Sequence, residues 1–207
     1  MEVWLIRHGM TEGNLLRRYT GRTDEPLCAE GVRQLRALAP APHTGRVFVS
    51  PMRRARETAA LLFPDARQVL LAGLREMDFG AFEGRSAEQM RDDPAYRAWV
   101  DGGCEAACPG GESMAAFAGR VLGAFYTAAS LCIARGYERL VIVAHGGTVR
   151  SILAAYGRPA RGFYEWDAPN GGGWQARLDP AQFLTQPLLT GCAPLVFAPR
   201  GAQGETI

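Results

Sequence analysis

Residues 139–150 read RLVIVAHGGTVR. After one arginine come five apolar residues, mostly β-branched, which read as a strand buried on both faces. The run stops at His145, two glycines follow, and from Thr148 to Tyr156 the pattern reads as a helix. A strand that passes straight into a helix is the building step of an α/β sheet.

Working outward, further short apolar runs rich in Val, Leu and Ile lie at Glu2–Ile6, Arg46–Val49, Gln68–Leu71, Trp174–Leu178 and Leu195–Ala198. Helical stretches are expected at Ala29–Leu38, Met52–Phe63, Ala87–Val100 and Ser113–Arg135. In the last of these, Met114, Phe117, Val121, Phe125 and Cys132 fall near one stripe at helical spacing, a core face. The alternation predicts a three-layer α/β fold: a mostly parallel central sheet with helices on both faces. The chain of 207 residues suits a single domain, here residues 1–200, with residues 201–207 expected to fray.

The formal net charge of +2 is too small to argue for nucleic acid. There is no lysine, so every basic side chain among the 23 is arginine, whose fork matches phosphate oxygens. Genomic base composition accounts for most of them. The 5 cysteines are odd in number and none stands in a CxxC pair, which argues for reduced thiols and a cytoplasmic setting. Cys104 and Cys108 lack a nearby histidine and make a weak metal pair. Neither a signal peptide nor a membrane span is expected.

The strand ends carry the chemistry. The first strand runs into Arg7-His8-Gly9, with Asn14 a few residues on. The second ends in Ser50-Pro51, read as N-cap and first residue of a helix carrying Arg53 and Arg54 in its first turns. The strand of residues 139–144 ends in His145-Gly146. Ligands of open α/β sheets bind outside the carboxyl ends of the strands, where helix N-termini favour anions. Each residue alone has a plainer explanation, a structural histidine or a solvated arginine, and His43 is read as an ordinary loop residue. Two histidines after two separate strands, with an arginine-rich helix start between them, point to a phosphate pocket. A neutral imidazole beside arginine is a good nucleophile toward phosphorus. The leaving alkoxide needs a proton, for which LREMDFGAFEG supplies Glu76, Asp78 and Glu83.

These stretches resemble the signature of the histidine phosphatase superfamily, also called phosphoglycerate mutase-like. The ordered motifs are LIRHGMTEGN, RYTGRTDEPLCAEG, SPMRRARETA, LREMDFGAFEG and VAHGGTVR. The resemblance implies that His8 is the phosphorylated nucleophile, Glu76 the proton donor and His145 a stabiliser of the transferring group. It further implies that Arg7, Asn14, Arg54, Gly146 and the Thr20-Gly21 turn bind the phosphate. It implies no metal and no cofactor, and a small phosphorylated metabolite as partner, with neither nucleic acid nor membrane.

The family holds mutases and phosphatases. The compact span from Glu76 to Gly111, with its acids Asp92, Asp93, Asp101 and Glu105, favours a phosphatase over a mutase. Length, start and acid segment look most like the α-ribazole phosphatase branch. Phe79, Phe82, Tyr96 and Trp99 are candidates for a wall against a flat base, though Trp99 is better read as packing. The loop of residues 102–112 is a candidate lid or rim. A phosphate-binding or protein-phosphatase module of the same fold is the remaining alternative, and a catalytically dead relative is disfavoured because His8, Arg54 and Glu76 are all present.

Overall fold

The computed structural model describes residues 1–39 and 41–200. At its centre lie β1 (Glu2–Arg7) and β4 (Arg139–Ala144), parallel neighbours in a six-stranded sheet. Outward on one side follow β2 (Arg46–Val49) and β3 (Arg67–Leu70), both parallel to the centre. On the other side β5 (Gly173–Arg177) pairs antiparallel with β1, and β6 (Thr190–Leu195) antiparallel with β5, giving the order β3-β2-β4-β1-β5-β6. The sheet is α/β and mostly parallel, as the sequence predicts.

Alternate residues of the central strands face opposite layers. Val3, Leu5, Leu140 and Ile142 pack under α5 (Met114–Ala134) and α6 (Gly146–Tyr156). Trp4, Ile6, Val141 and Val143 pack under α2 (Ala29–Arg36) and α3 (Arg53–Leu62). By length and composition α5 could cross a membrane, but its Phe117, Val121, Phe125 and Cys132 are buried in the core, as the sequence stripe anticipates.

Four expectations need correction. The helix read over Ala87–Val100 is a 3-10 turn at Glu88–Met90 and then a separate α4 (Pro94–Asp101). Pro94 cannot continue a helix, and Asp93 caps the new one through Ala95 and Tyr96 N–H. The last strand lies at Thr190–Leu195 rather than Leu195–Ala198. Pro194 obscures it in the sequence, and an edge strand tolerates proline. Ser50 does not cap α3. The N-cap position is Met52, and the carboxylate of Asp24 accepts from Arg53 N at 2.5 Å instead. Two four-residue helices, α1 (Glu12–Leu15) and α7 (Pro180–Phe183), were not anticipated. The frayed tail expected at residues 201–207 lies outside the described residues.

Candidate active site

The connection leaving β1 runs to β2 on one side, and that leaving β4 runs to β5 on the other. The strand order therefore reverses between β1 and β4, where an open α/β sheet binds its ligand. Arg7 is in register with Ala144, and His8 N donates to Ala144 O at 2.9 Å. His8 and His145, one residue beyond each strand, thus stand side by side with ring centroids 5.2 Å apart. Ser50 enters from β2 by the same logic, its N–H bonded to Val143 O at 3.0 Å.

His8 is 5% exposed, and its Nδ1 lies 2.7 Å from Gly9 O. A carbonyl only accepts, so Nδ1 carries the proton and the Nε2 lone pair is free. Burial, then the charges of Arg54 and Arg7, hold the imidazole well below its usual range and keep it neutral. Gly9 N donates to Thr58 Oγ1, whose hydroxyl donates to Arg54 O, tying this turn to α3.

His145 is fully buried. Arg54 Nε donates to its Nδ1 at 3.3 Å, so a neutral ring holds its proton on Nε2, 2.8 Å from Ser50 Oγ. Burial, Arg54 and His8 push its pKa down as well. Both of its nitrogens are therefore engaged with protein groups.

Arg54 is 1% exposed. Besides His145 it donates to Thr23 O at 2.7 Å and, through Nη2, to Thr20 O at 3.2 Å and Gly21 O at 2.9 Å. Thr20 and Gly21 thus face Arg54 with their carbonyl oxygens. Gly21 N–H turns away to Glu83. Arg7 Nη1 donates to Ala168 O, while its Nε–H is buried without a partner among the described residues. An unpartnered buried donor beside a neutral histidine is a place where an anion fits.

Asn14 lies in α1, where its N–H donates to the N-cap Thr11 Oγ1. Its Oδ1 accepts from Asn170 Nδ2 at 2.9 Å and Thr11 N at 3.2 Å, which leaves its amide N–H groups without a protein acceptor among the described residues. Asn170, which the sequence reading missed, also donates to His8 O at 3.2 Å. Nothing local in the motif Pro169-Asn170-Gly171 announces that contact.

Glu76 Oε1 accepts from Met77 N at 3.0 Å and Oε2 from Gly147 N at 3.1 Å. The first turn of α6 thereby holds the acid where its charge acts on Arg7 and Arg54. A Cβ on Gly147 would collide with Glu76 Oε1, so glycine is required for that approach. The segment behind is clamped by Arg120, which forks onto Glu112 and donates to Gly73 O, Arg75 O and Glu76 O. Of the other acids considered, Asp78 accepts from Gly80 N, and Glu83 is occupied by backbone N–H groups.

A cavity of about 250 Å³ runs over Arg7, Glu76, Gly146 and Gly147 and is walled by Tyr19, Phe79, Trp99, Phe117, Phe163 and Tyr164. Of the four aromatics foreseen as a wall, Phe79 and Trp99 line it, while Phe82 and Tyr96 are buried behind. Trp99 also packs as expected, its Nε1–H on Ala106 O. Tyr19 arrives from a distant loop, and Phe163 and Tyr164 from a 3-10 turn at Phe163–Glu165. Cys104 brings the loop of residues 102–112 to the rim. The acids that the sequence reading set against a mutase do not line the cavity: Asp93 caps α4 and pairs with Arg85, and Asp92 pairs with Arg91. Arg150 lines it instead.

A doubly wound sheet with a neutral histidine, buried arginines and a carboxylate at its switch point defines a class of phosphate-handling α/β enzyme. Residues 3–184 match the histidine phosphatase superfamily (branch 1), and the chain belongs to that family. It is 32% identical over 180 residues to the adenosylcobalamin/alpha-ribazole phosphatase of Escherichia coli strain K12, covering 83% of this chain and 87% of that protein. The crystal structure of the alpha-ribazole phosphatase from Shigella flexneri superposes with a TM-score of 0.77 at 27% identity, covering 100% of both chains. That of a phosphoglycerate mutase from Thermus thermophilus gives a TM-score of 0.66 at 34% identity, over 95% of this chain and 99% of that one. The chain is an enzyme of the phosphatase kind.

Proposed function

We propose that the protein, as one domain over residues 1–200, hydrolyses a small phosphomonoester by way of a phosphohistidine on His8, and that its substrate is α-ribazole 5′-phosphate or a close relative with a flat base. The observation that carries the chemistry is the His8 Nδ1–Gly9 O bond, which leaves Nε2 as a lone pair, together with the unpartnered Nε–H of Arg7, whose charge acts on His8. The phosphoryl oxygens take Arg7 Nε–H, the remaining Arg54 Nη1–H, the Asn14 amide and the positive end of α6 at Gly146. His8 Nε2 attacks, the P–N bond forms and the P–O ester bond breaks. Glu76 gives its proton to the departing alkoxide. Water then attacks phosphorus, Glu76 takes the proton back, the P–N bond breaks and His8 returns neutral. His145 holds Arg54 by its Nε–H and so keeps the guanidinium charge on the transferring group. Arginine supplies here the positive charge that Mg²⁺ supplies in other phosphoryl transfers.

The aromatic wall supports a flat leaving group, since stacking on aromatic faces favours planar rings. The name of the Escherichia coli relative agrees with that substrate. Five free cysteines suit a reducing cytoplasm. The test is acid-quench labelling with a panel of phosphomonoesters, α-ribazole 5′-phosphate and 3-phosphoglycerate among them. Acid-labile label that disappears in His8→Ala, with α-ribazole 5′-phosphate the best substrate, is the expected result. Label persisting in His8→Ala would exclude the nucleophile, and fast exchange of 2- and 3-phosphoglycerate would make the protein a mutase.

A further inference from the structure

We propose that Glu83 is a positioning residue for Arg54, acting through the two peptide groups that lie between its carboxylate and the guanidinium. The inference rests on the reading of Arg54 as a phosphate ligand and goes beyond it.

The loop of residues 20–23 has Arg54 on one side and Glu83 on the other. Glu83 Oε1 accepts from Gly21 N at 3.1 Å and Arg22 N at 2.9 Å. Its Oε2 accepts from Thr23 Oγ1 at 2.7 Å and Thr23 N at 3.4 Å. The carbonyls of the same peptide groups point the other way. The group joining Thr20 and Gly21 gives its oxygen to Arg54 Nη2 and its N–H to Glu83. The group joining Gly21 and Arg22 does the same.

Each peptide dipole therefore has its negative end on the cation and its positive end on the anion. Hydrogen bonds in such a chain polarise and strengthen one another. Among the described residues Arg54 forms no direct ion pair with a carboxylate. Glu76, Glu25 and Asp24 act on it through space more strongly than Glu83, which reaches it through the hydrogen-bonded peptide groups. A direct carboxylate would compete with phosphate for the guanidinium, whereas one held behind the loop orients it and leaves one Nη1 N–H without a protein acceptor among the described residues. A Cβ on Gly21 would strike Met77 O and Glu83 Oε1, so the loop meets the carboxylate only as glycine.

The test is calorimetric binding of inorganic phosphate to the full chain and its Glu83→Gln, Arg54→Lys and double variants. Exchanging a charged acceptor for a neutral one should weaken phosphate about tenfold. The double variant should bind no worse than Arg54→Lys within about twofold, because both changes act through one group. KM should rise alike for alkyl and aryl phosphates, as a lost leaving-group acid would not produce. Unchanged phosphate affinity in a folded Glu83→Gln, or additive losses in the double variant, would overturn the proposal. Unchanged affinity in Arg54→Lys would instead remove the underlying assignment of Arg54. Should Glu83→Gln not fold, Thr23→Val takes its place in the cycle, with a loss of about threefold expected for one lost donor and additivity again the refuting outcome.

Discussion

Gly147→Ala separates the acid of the reaction from the rest of the pocket. The new Cβ meets Glu76 Oε1 and lies 3.1 Å from the Phe117 ring, so the flexible carboxylate must swing aside. The bond from Gly147 N to Glu76 Oε2 is strained or lost with it. General acids contribute about 10²- to 10⁴-fold, and displacement by about 1 Å can cost about 10². For an alkyl phosphate, kcat/KM should fall about a hundredfold, approaching the value in Glu76→Gln. For p-nitrophenyl phosphate, whose phenolate leaves without a proton, it should fall less than about fivefold. kcat/KM is the right quantity because it ends at formation of the phosphohistidine and omits the water step. The backbone is helical there, so thermal stability should stay within about 1 kcal/mol of the parent. Equal losses on both substrates, or an unchanged alkyl rate, would refute the placement of Glu76 as leaving-group acid.

Stability should fall as pH drops below 6.5, the ordinary imidazole value, because the unfolded chain then takes up protons that buried His8 and His145 refuse. Each histidine contributes a slope of about 1.4 kcal/mol per pH unit between that value and its own lowered one, and urea melts of His8→Gln should show a shallower slope. Tyr164 is 68% exposed yet lines the cavity, so Tyr164→Ala should raise KM for an aromatic substrate about fivefold at little cost in melting temperature, with glycerol phosphate unaffected. Among the described residues no three His, Cys, Asp or Glu side chains converge, and buried Arg54 supplies the positive charge of the proposed pocket; activity should therefore survive dialysis against a chelator.

The strands were legible because β1, β2 and β4 are short apolar runs whose ends change character abruptly. The histidines and Arg54 were legible for the same reason: strand ends in a parallel sheet converge on one edge. Packing across the chain was not. Asn170 reaches His8, and Tyr19 and Tyr164 reach the cavity, from loops and a 3-10 turn with no periodicity to mark them. Glu83 looked only like a fallback to Glu76 as proton donor, because nothing local shows which carboxylate a distant loop will cover with its N–H groups. Asp93-Pro94 was a visible cap signal that the apolar pattern of residues 87–100 concealed.

The spacing of the two imidazoles follows from the pairing of Arg7 with Ala144, not from any loop. The long stretch of chain between them can therefore gain or lose whole helices without moving either ring. This frees the intervening segments to diverge in what they recognise while the reacting atoms stay put. The same arrangement has one point of fragility. A slip of a single residue between β1 and β4 would send one histidine to the opposite face of the sheet, with no side chain altered.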